Sequence, residues 1–410
     1  MSMRTLLVNI KGLLQTETGN ERKPRIYGPQ MAVLPQLEQA WLLIEDGRIH
    51  SFGKMDDLPE MQADKTIDAA GRLVLPAWCD SHTHLVFAAP REQEFVDRIN
   101  GLTYAEIAAR GGGILNSARK LNETDEEQLF DQSLQRLEQV IAQGTGAIEI
   151  KSGYGLCLEG ELKMLRVIRR LKEQAPIPVK ASFLAAHAFP PEFKENHQGY
   201  IDTIIRDMLP RVAGEGLADY MDVFCEQGFF SVAETEQLLE AGLKHGLRPK
   251  IHANQLHRSG GVQVGVAYNA VSVDHLESMG AEEVEALRGS NTIPTLLPGA
   301  AFFLAMHYQP ARMLIDAGLP VALASDYNPG SCPSGNMNLL LSLACTQLKM
   351  TPEEAIHAQT LNGAAAMELE AEMGTIAAGK QAKLILTRPV PSVAYLPYSF
   401  GENWIESVIV

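Results

Sequence analysis

The chain has 410 residues, of which 46 % are hydrophobic and 21 % are charged. These proportions are typical of a folded globular protein and exclude a disordered or fibrous chain. The formal net charge of −15 argues against non-specific nucleic-acid binding, and no apolar run approaches the roughly 18 residues that a membrane-spanning helix requires. Five scattered cysteines without CxxC spacing indicate a cytoplasmic chain with reduced thiols.

Both ends of the chain have the pattern of short strands. Strand-like runs lie at 5–10, 41–45, 48–53, 383–387 and 404–410. The pair Asp46-Gly47 between two of these runs is a strong signal for a two-residue hairpin. We therefore predict that residues 1–75 and 371–410 together form one small composite β-sandwich domain, although the middle of the chain separates them.

Residues 76–370 alternate strands with helices. Apolar strand-like runs lie near 77–82, 146–150, 178–186, 219–225, 247–252, 271–275, 291–296 and 320–326. Helical patterns lie near 159–173, 198–213, 281–288, 337–348 and 352–369. Capping boxes are predicted at Thr124 with Glu127 and at Ser231 with Glu234. About eight β-then-α units indicate an α/β fold of the (β/α)8 TIM-like barrel type. The alternative, a doubly wound open sheet, usually carries a Gly-rich phosphate turn after its first strand, and this chain has none.

Ionisable residues cluster where the predicted barrel strands end, which is where barrel enzymes place their active sites. His82 and His84 lie at the end of the first strand, His187 at the end of the third, His252 of the fifth, His275 of the sixth and Asp326 of the eighth. The i, i+2 spacing of the first pair puts both imidazoles on one face of an extended chain, where they can share a cation. Taken singly, such residues are also explained as buried structural histidines or as a helix cap. Together, imidazoles and one carboxylate suit Zn²⁺ or iron better than Mg²⁺ or Ca²⁺, and predict metal-assisted hydrolysis.

The segments that carry these residues resemble the amidohydrolase superfamily. They are LPAWCDSHTHL (75–85), EIKSGYGL (149–156), FLAAHAFP (183–190), KIHANQLHRSGG (250–261), LLPGA (296–300) and SDYNPGS (325–331). The resemblance covers nearly the whole chain, and its KSGYG and NPG segments are specific. It is closest to the branch that opens the imidazolone ring of 4-imidazolone-5-propanoate with water, which gives N-formimidoyl-L-glutamate in histidine degradation.

By position, the resemblance implies a set of site residues. One Zn²⁺ or Fe²⁺/Fe³⁺ ion per subunit would be held by His82, His84, His252 and Asp326. Catalysis would use Asp326 as the proton acceptor, with His275 at the oxyanion and His187 and Gln255 at the ring. The small anionic substrate would contact Arg91, Tyr154, His187, Gln255, Asn328, Gly330 and Ser331. The resemblance also implies a homodimer.

One departure from the related pattern affects proton transfer. Gln255 lies three residues after the histidine of strand five, where related deaminases and some members of the resembled branch carry Glu, and Asn254 stands where an acid is common. A Gln side chain can hydrogen-bond the substrate but cannot carry a proton. This argues against the alternative of a purine-type deaminase or another cyclic amidohydrolase, and shifts proton transfer to Asp326 or His275.

A second departure concerns the number of metals. Dinuclear relatives carry a bridging carboxylated Lys at the end of strand four, where this chain has Phe224-Cys225-Glu226. We therefore predict a mononuclear site and assign Lys151, on strand two, to ion pairing. A non-catalytic scaffold relative is disfavoured because every ligand position is filled.

Overall fold

The computed structural model describes residues 3–19, 22–102, 106, 110 and 112–410, and its strands form two sheets. In chain order the strands are β1 (Arg4–Leu14), β2 (Gln36–Glu45), β3 (Arg48–Lys54), β4 (Lys65–Asp68), β5 (Leu73–Pro76), β6 (Trp78–Thr83), β7 (Thr145–Lys151), β8 (Val179–Ala186), β9 (Tyr220–Cys225), β10 (Arg248–Ala253), β11 (Ser272–His275), β12 (Ile293–Leu296), β13 (Ala322–Leu323), β14 (Leu384–Thr387) and β15 (Ile405–Ile409).

The two ends of the chain meet in one seven-stranded mixed sheet. Its order is β15-β14-β5-β1-β2-β3, and β4 pairs with β1. The predicted hairpin between β2 and β3 is confirmed: Asp46 and Gly47 have φ angles of 48° and 73°, as a type I′ turn requires. Because β5 pairs with both β1 and β14, the composite arrangement of the terminal segments is confirmed.

Strands β6 to β13 form a parallel sheet in sequential order, which is the order of a barrel and excludes the doubly wound alternative. The sheet closes where Thr83, at the end of β6, bridges to Tyr327 beyond β13. The backbone N–H of Asp326 donates to the carbonyl of His82 at 3.0 Å, and that of His84 donates to Tyr327 at 2.9 Å. The seam of the barrel therefore joins the first and last predicted metal-ligand segments.

Helices lie on the outside of the barrel strands. The described helices are Glu92–Ile99, Ile114–Glu123, Glu126–Ala142, Leu158–Gln174, His197–Thr203, Leu209–Gly214, Val232–Lys244, Gly261–Ala267, Ala281–Leu287, Pro298–Leu304, Ala311–Asp316, Met337–Thr346, Pro352–Gln359, Leu361–Ala365 and Tyr395–Tyr398. None of the described helices is long and apolar enough to cross a membrane.

Two predicted helices are interrupted. The helix predicted at 198–213 contains a π-helical turn at Ile204–Met208, just before Pro210, which has no N–H to donate to the preceding turn. The helix predicted at 352–369 divides at Thr360, whose φ and ψ of −117° and −91° are not helical.

Of the two predicted capping boxes, one is confirmed and one is wrong. Ser231 and Glu234 form both reciprocal hydrogen bonds. Thr124 instead belongs to the preceding helix, because its hydroxyl donates to the carbonyl of Lys120 at 2.8 Å. The next helix is capped by Asp125, whose carboxylate accepts from the N–H of Gln128 at 2.9 Å.

Candidate active site

A cavity of about 450 Å³ opens at the carboxyl ends of the barrel strands. It is lined by His84, Arg91, Glu94, Arg98, Ile114, Tyr154, His187, Phe224, Phe229, His252, Gln255, Leu256, His275, Leu304, Asp326, Asn328, Gly330 and Ser331. All seven residues that the sequence assigned to substrate contact are therefore in its wall, together with the two residues assigned to proton transfer and oxyanion stabilisation. His82 lies behind this wall, fully buried.

Four side chains converge at one point of the cavity. Asp326 Oδ1 lies 3.6 Å from the Nε2 atoms of both His82 and His84. His84 Nε2 in turn lies 3.4 Å from His252 Nε2. These are the four predicted metal ligands, and we call them the donor cluster.

The donor cluster fits a divalent transition metal. His82 Nε2 is buried and has no hydrogen-bond partner in the described part of the chain, and an orphaned lone pair of this kind suits a cation. Burial, reinforced by the nearby Lys151 ammonium, holds the pKa of His82 well below its usual range, and burial beside His187 does the same for His84. Both rings are therefore neutral at pH 7, the state in which imidazole ligates a metal.

Two carboxylates set the orientation of these histidines from behind. His82 Nδ1 lies 2.6 Å from Asp274 Oδ2, and His252 Nδ1 lies 3.1 Å from Asp222 Oδ1. A carboxylate acceptor places the ring hydrogen on Nδ1 and leaves the Nε2 lone pair for a metal. The sequence pattern did not identify these two residues, although an Asp within an otherwise apolar strand is a signal that could have found them.

The predicted ion pairing of Lys151 is confirmed. Its ammonium lies 2.5 Å from Glu149 Oε1 and 2.7 Å from Asp222 Oδ2, and the side chain is fully buried. Glu149 also accepts from Lys250. A charged network therefore underlies the donor cluster.

Two residues of the site have strained backbones. His275 and Asp326 have φ angles of 85° and 55°, which residues other than glycine rarely adopt. Burial raises the pKa of the Asp326 carboxyl. For His275, burial opposes the charged form, but the carboxylate of Glu277, 3.6 Å away, outweighs it and raises the pKa. Such strain is typical of functional sites, where the surrounding structure fixes a side chain in position.

The KSGYG segment forms the loop after β7 and positions Tyr154 and His187. Gly153 has a φ of 109°, and a Cβ there would lie 2.9 Å from His187 Nδ1, so only glycine fits. Its carbonyl lies 3.1 Å from the same nitrogen. The buried Glu161 carboxylate holds the loop by accepting from the N–H groups of Gly153 and Gly155. Burial lowers the pKa of His187 to about 3, so its ring is neutral.

Two arginines lie on one side of the cavity. Arg91 donates to Glu94 through Nε at 2.9 Å and Nη2 at 2.5 Å. Arg98, which the sequence pattern did not single out, donates to the carbonyl of Gly330 at 3.2 Å and stacks over Phe303. Arg98 makes no ion pair with a carboxylate in the described part of the chain.

The NPG turn is organised by Asn328. Its Oδ1 accepts from the N–H groups of Gly330 at 2.8 Å and Ser331 at 2.7 Å. These N–H groups thus have partners within the turn, while the Ser331 hydroxyl donates to Asp326 Oδ2 at 3.1 Å. The turn connects the donor cluster to the arginine side of the cavity, because Gly330 packs closely against Arg91. A Cβ on Gly330 would lie only 2.2 Å from Arg91 Nη1.

Gln255 begins the loop after β10 and faces the same cavity. The buried Glu226 carboxylate anchors this loop by accepting from the N–H of Leu256 at 2.8 Å and from the Ser259 hydroxyl. Glu226 itself does not line the cavity.

Comparisons with known proteins place the chain in a family. The sequence model described as the amidohydrolase family matches residues 73–410. An imidazolonepropionase from Flavobacterium johnsoniae is 59 % identical over 408 residues, which cover 100 % of this chain and 99 % of the relative. The chain belongs to the imidazolonepropionase family of amidohydrolases. Another imidazolonepropionase, from Alkaliphilus oremlandii, is 39 % identical, with coverage of 100 % and 97 %.

Solved structures share the fold at much lower identity. A triazine hydrolase variant has a TM-score of 0.74 at 15 % identity and covers 99 % of this chain and 93 % of its own. Guanine deaminase from C. acetobutylicum has a TM-score of 0.71 at 14 % identity, with 99 % of both chains covered. This imidazolonepropionase-family chain thus shares its fold with both of these proteins.

Proposed function

We propose that this hydrolase opens the imidazolone ring of 4-imidazolone-5-propanoate with water, giving N-formimidoyl-L-glutamate, a step of histidine degradation. The observation that carries this proposal is that one cavity joins the donor cluster to two arginines through the 326–331 segment. A small molecule with a reactive cyclic amide and a carboxylate matches both sides of that cavity. The curated relatives of the same family support the choice of substrate.

One Zn²⁺ or iron ion would be held by His82, His84, His252 and Asp326. When bound, such an ion polarises a carbonyl group and lowers the pKa of water to about 7.

The chain's own residues move the proton. Asp326 Oδ2, oriented by the Ser331 hydroxyl, accepts a proton from the attacking water. The water oxygen bonds to the ring carbonyl carbon, the ring C–N bond breaks, and the same proton passes from Asp326 to the leaving nitrogen. No other proton donor is needed, so Gln255 is sufficient as a hydrogen-bonding contact to the ring.

His275 and His187 act on the substrate without exchanging the transferred proton. His275, whose Nδ1 lies 3.6 Å from Glu277 Oε1, stabilises the negative charge that develops on the carbonyl oxygen. His187 stays neutral because burial lowers its pKa to about 3, and it orients the ring against Tyr154.

A purine-type deaminase fits the cavity less well. Its chemistry depends on a Glu at the position of Gln255, and a purine has no carboxylate to pair with Arg91 or Arg98.

We further propose that the chain works as a cytoplasmic homodimer, as the family resemblance implies. The five free thiols agree with a reducing compartment.

The test is an assay of 4-imidazolone-5-propanoate hydrolysis by the full chain, with and without chelation, and by Asp326→Asn. We expect chelation to abolish turnover, added Zn²⁺ or Fe²⁺ to restore it, and Asp326→Asn to lower kcat about 10²- to 10⁴-fold, since it removes the proton acceptor. Asp316→Asn, at an exposed aspartate outside the cavity, is the matched control and should leave kcat within twofold. Turnover unchanged by chelation and by Asp326→Asn would contradict the proposal.

A further inference from the structure

Five fully buried charged residues lie behind the donor cluster, and the reaction described above does not use them. They are Glu149, Lys151, Asp222, Lys250 and Asp274, all on barrel strands. Burying five charges is costly unless each is paired and hydrogen-bonded. In this protein the five side chains pair with one another, so each charge has a partner of opposite sign.

The network contacts the donor cluster at two points. Asp274 accepts from His82 Nδ1, and Asp222 accepts from His252 Nδ1. Each carboxylate holds one ring so that its Nε2 faces the cluster. The direction of two of the four donors thus depends on where the two carboxylates lie.

Lys151 is the residue that contacts both carboxylates. Its Nζ lies 2.7 Å from Asp222 Oδ2 and 3.6 Å from Asp274 Oδ2. Asp222 uses its other oxygen for His252, while Asp274 Oδ1 accepts from the Ser272 hydroxyl at 2.5 Å. Without a cation between them, two buried carboxylates repel each other and shift, and the histidines bonded to them turn as well.

We propose that Lys151 is a positioning residue for the metal centre: by clamping Asp222 and Asp274, it fixes the rings of His82 and His252 and so sets the metal affinity. This inference rests on the metal centre proposed above and goes beyond it, because it assigns the affinity to a residue that is not itself a ligand. Substitution of residues that hydrogen-bond directly to metal ligands typically lowers metal affinity 10- to 100-fold, and Lys151 positions two such residues.

Lys250 offers a matched control within the same network. It is equally buried and pairs with the same Glu149. Its other hydrogen bonds among the described residues go to the carbonyls of Ser81 and Ala366, each at 3.1 Å, and its ammonium lies over the Tyr220 ring. It pairs with neither Asp222 nor Asp274 there. A general effect of losing a buried lysine would therefore appear in both variants, whereas a positioning effect is confined to Lys151.

The experiment measures the zinc dissociation constant of the full chain by competition with a chromogenic chelator, for wild type, Lys151→Met and Lys250→Met. Circular dichroism and thermal unfolding of the metal-free proteins establish that each is folded. We expect Lys151→Met to weaken zinc binding about 10- to 100-fold, and Lys250→Met to change it less than threefold. Equal weakening in both variants, or unchanged or tighter binding in Lys151→Met, would overturn the inference. Absence of zinc binding by the wild type would overturn the metal centre itself, and this inference with it.

A second pair of variants keeps the test decisive if Lys151→Met does not fold. Asp222→Asn combined with Lys151→Met leaves the network with the same net charge as in the wild type. We expect the double variant to bind zinc at least threefold more weakly than Asp222→Asn alone, because Asp274 and His82 lose their clamp. Equal or tighter binding by the double variant would contradict the role of Lys151.

Discussion

Only one of the two arginines in the cavity has a carboxylate partner among the described residues. The charge of Arg91 is matched by Glu94, which it contacts through two nitrogens. Arg98 bonds instead to a backbone carbonyl and lies over an aromatic ring. A substrate carboxylate therefore gains more from Arg98, which makes no ion pair in the described part of the chain, than from Arg91.

Replacing Arg98 should impair binding more than chemistry. We expect Arg98→Met to raise KM for 4-imidazolone-5-propanoate about 10- to 100-fold, since a hydrogen bond to a charged group contributes about 1.5–3 kcal/mol. The kcat should change less than threefold, because Arg98 does not contact the donor cluster. Steady-state kinetics separate the two constants.

A substrate analogue is the control for this prediction. When an ethyl group replaces the propanoate, the analogue has no carboxylate, so wild type and Arg98→Met should hydrolyse it with equal kcat/KM. If the variant lost activity equally on both compounds, Arg98 would have a general structural role instead of recognising the carboxylate.

At the scale of single elements, the pattern of strand ends identified the histidines and the aspartate that line the cavity. His84, His187 and His252 were identified because each lies at the end of an apolar run, on the active-site side of a barrel. Asp222 and Asp274 were missed because they lie inside strands, where sequence spacing does not show which neighbouring strand a side chain meets.

Local hydrogen bonding explains the other differences from the sequence-based expectation. The last barrel strand was predicted at 320–326 but covers only Ala322–Leu323. The N–H of Ser325 donates to the side chain of Asp80 at 2.9 Å instead of a neighbouring backbone carbonyl, so the ladder ends early. Similarly, the side-chain oxygen of Asn328 accepts hydrogen bonds from the N–H groups of Gly330 and Ser331 in its own turn. Residue type alone does not specify which local hydrogen bonds such a side chain makes.

Stability measurements can decide whether Asp125 or Thr124 caps the 126–142 helix. We expect Asp125→Ala to lower the free energy of unfolding by about 1 kcal/mol, because it removes the side chain that accepts from the N–H of Gln128. Thr124→Ala should cost less than about 0.5 kcal/mol, since its hydroxyl caps nothing in that helix. Urea denaturation provides both values. The opposite order would restore the capping box that the sequence predicts.

At the scale of the whole molecule, the neutral His187 makes stability depend on pH. The pKa of this ring falls from an ordinary 6.5 to about 3 on folding because the half-buried ring is withdrawn from much of its contact with water. Below pH 6.5 the unfolded chain binds a proton that the folded chain does not, so stability present at pH 7 is lost as the pH falls toward 3.

Replacing His187 should therefore reduce the acid sensitivity of the metal-free protein. Between pH 6 and pH 4.5, we expect the free energy of unfolding of His187→Asn to fall less steeply than that of wild type, by up to about 1.4 kcal/mol per pH unit. Urea denaturation at several pH values measures the two slopes. Parallel slopes would show that the ring titrates equally in the folded and unfolded chains.

The pairing of β5 with β14 has a consequence for how the protein is made. Ribosomes release the amino end first, so β1 to β5 are synthesised long before Leu384–Thr387, the partner that covers β5. During most of translation the nascent chain thus carries an open strand edge, which can pair with other chains. The hydrogen bond from the backbone N–H of Ala77 to the carbonyl of Lys383 likewise cannot form until Lys383 has been synthesised. The terminal sheet therefore cannot be completed before Leu384–Thr387 has been synthesised.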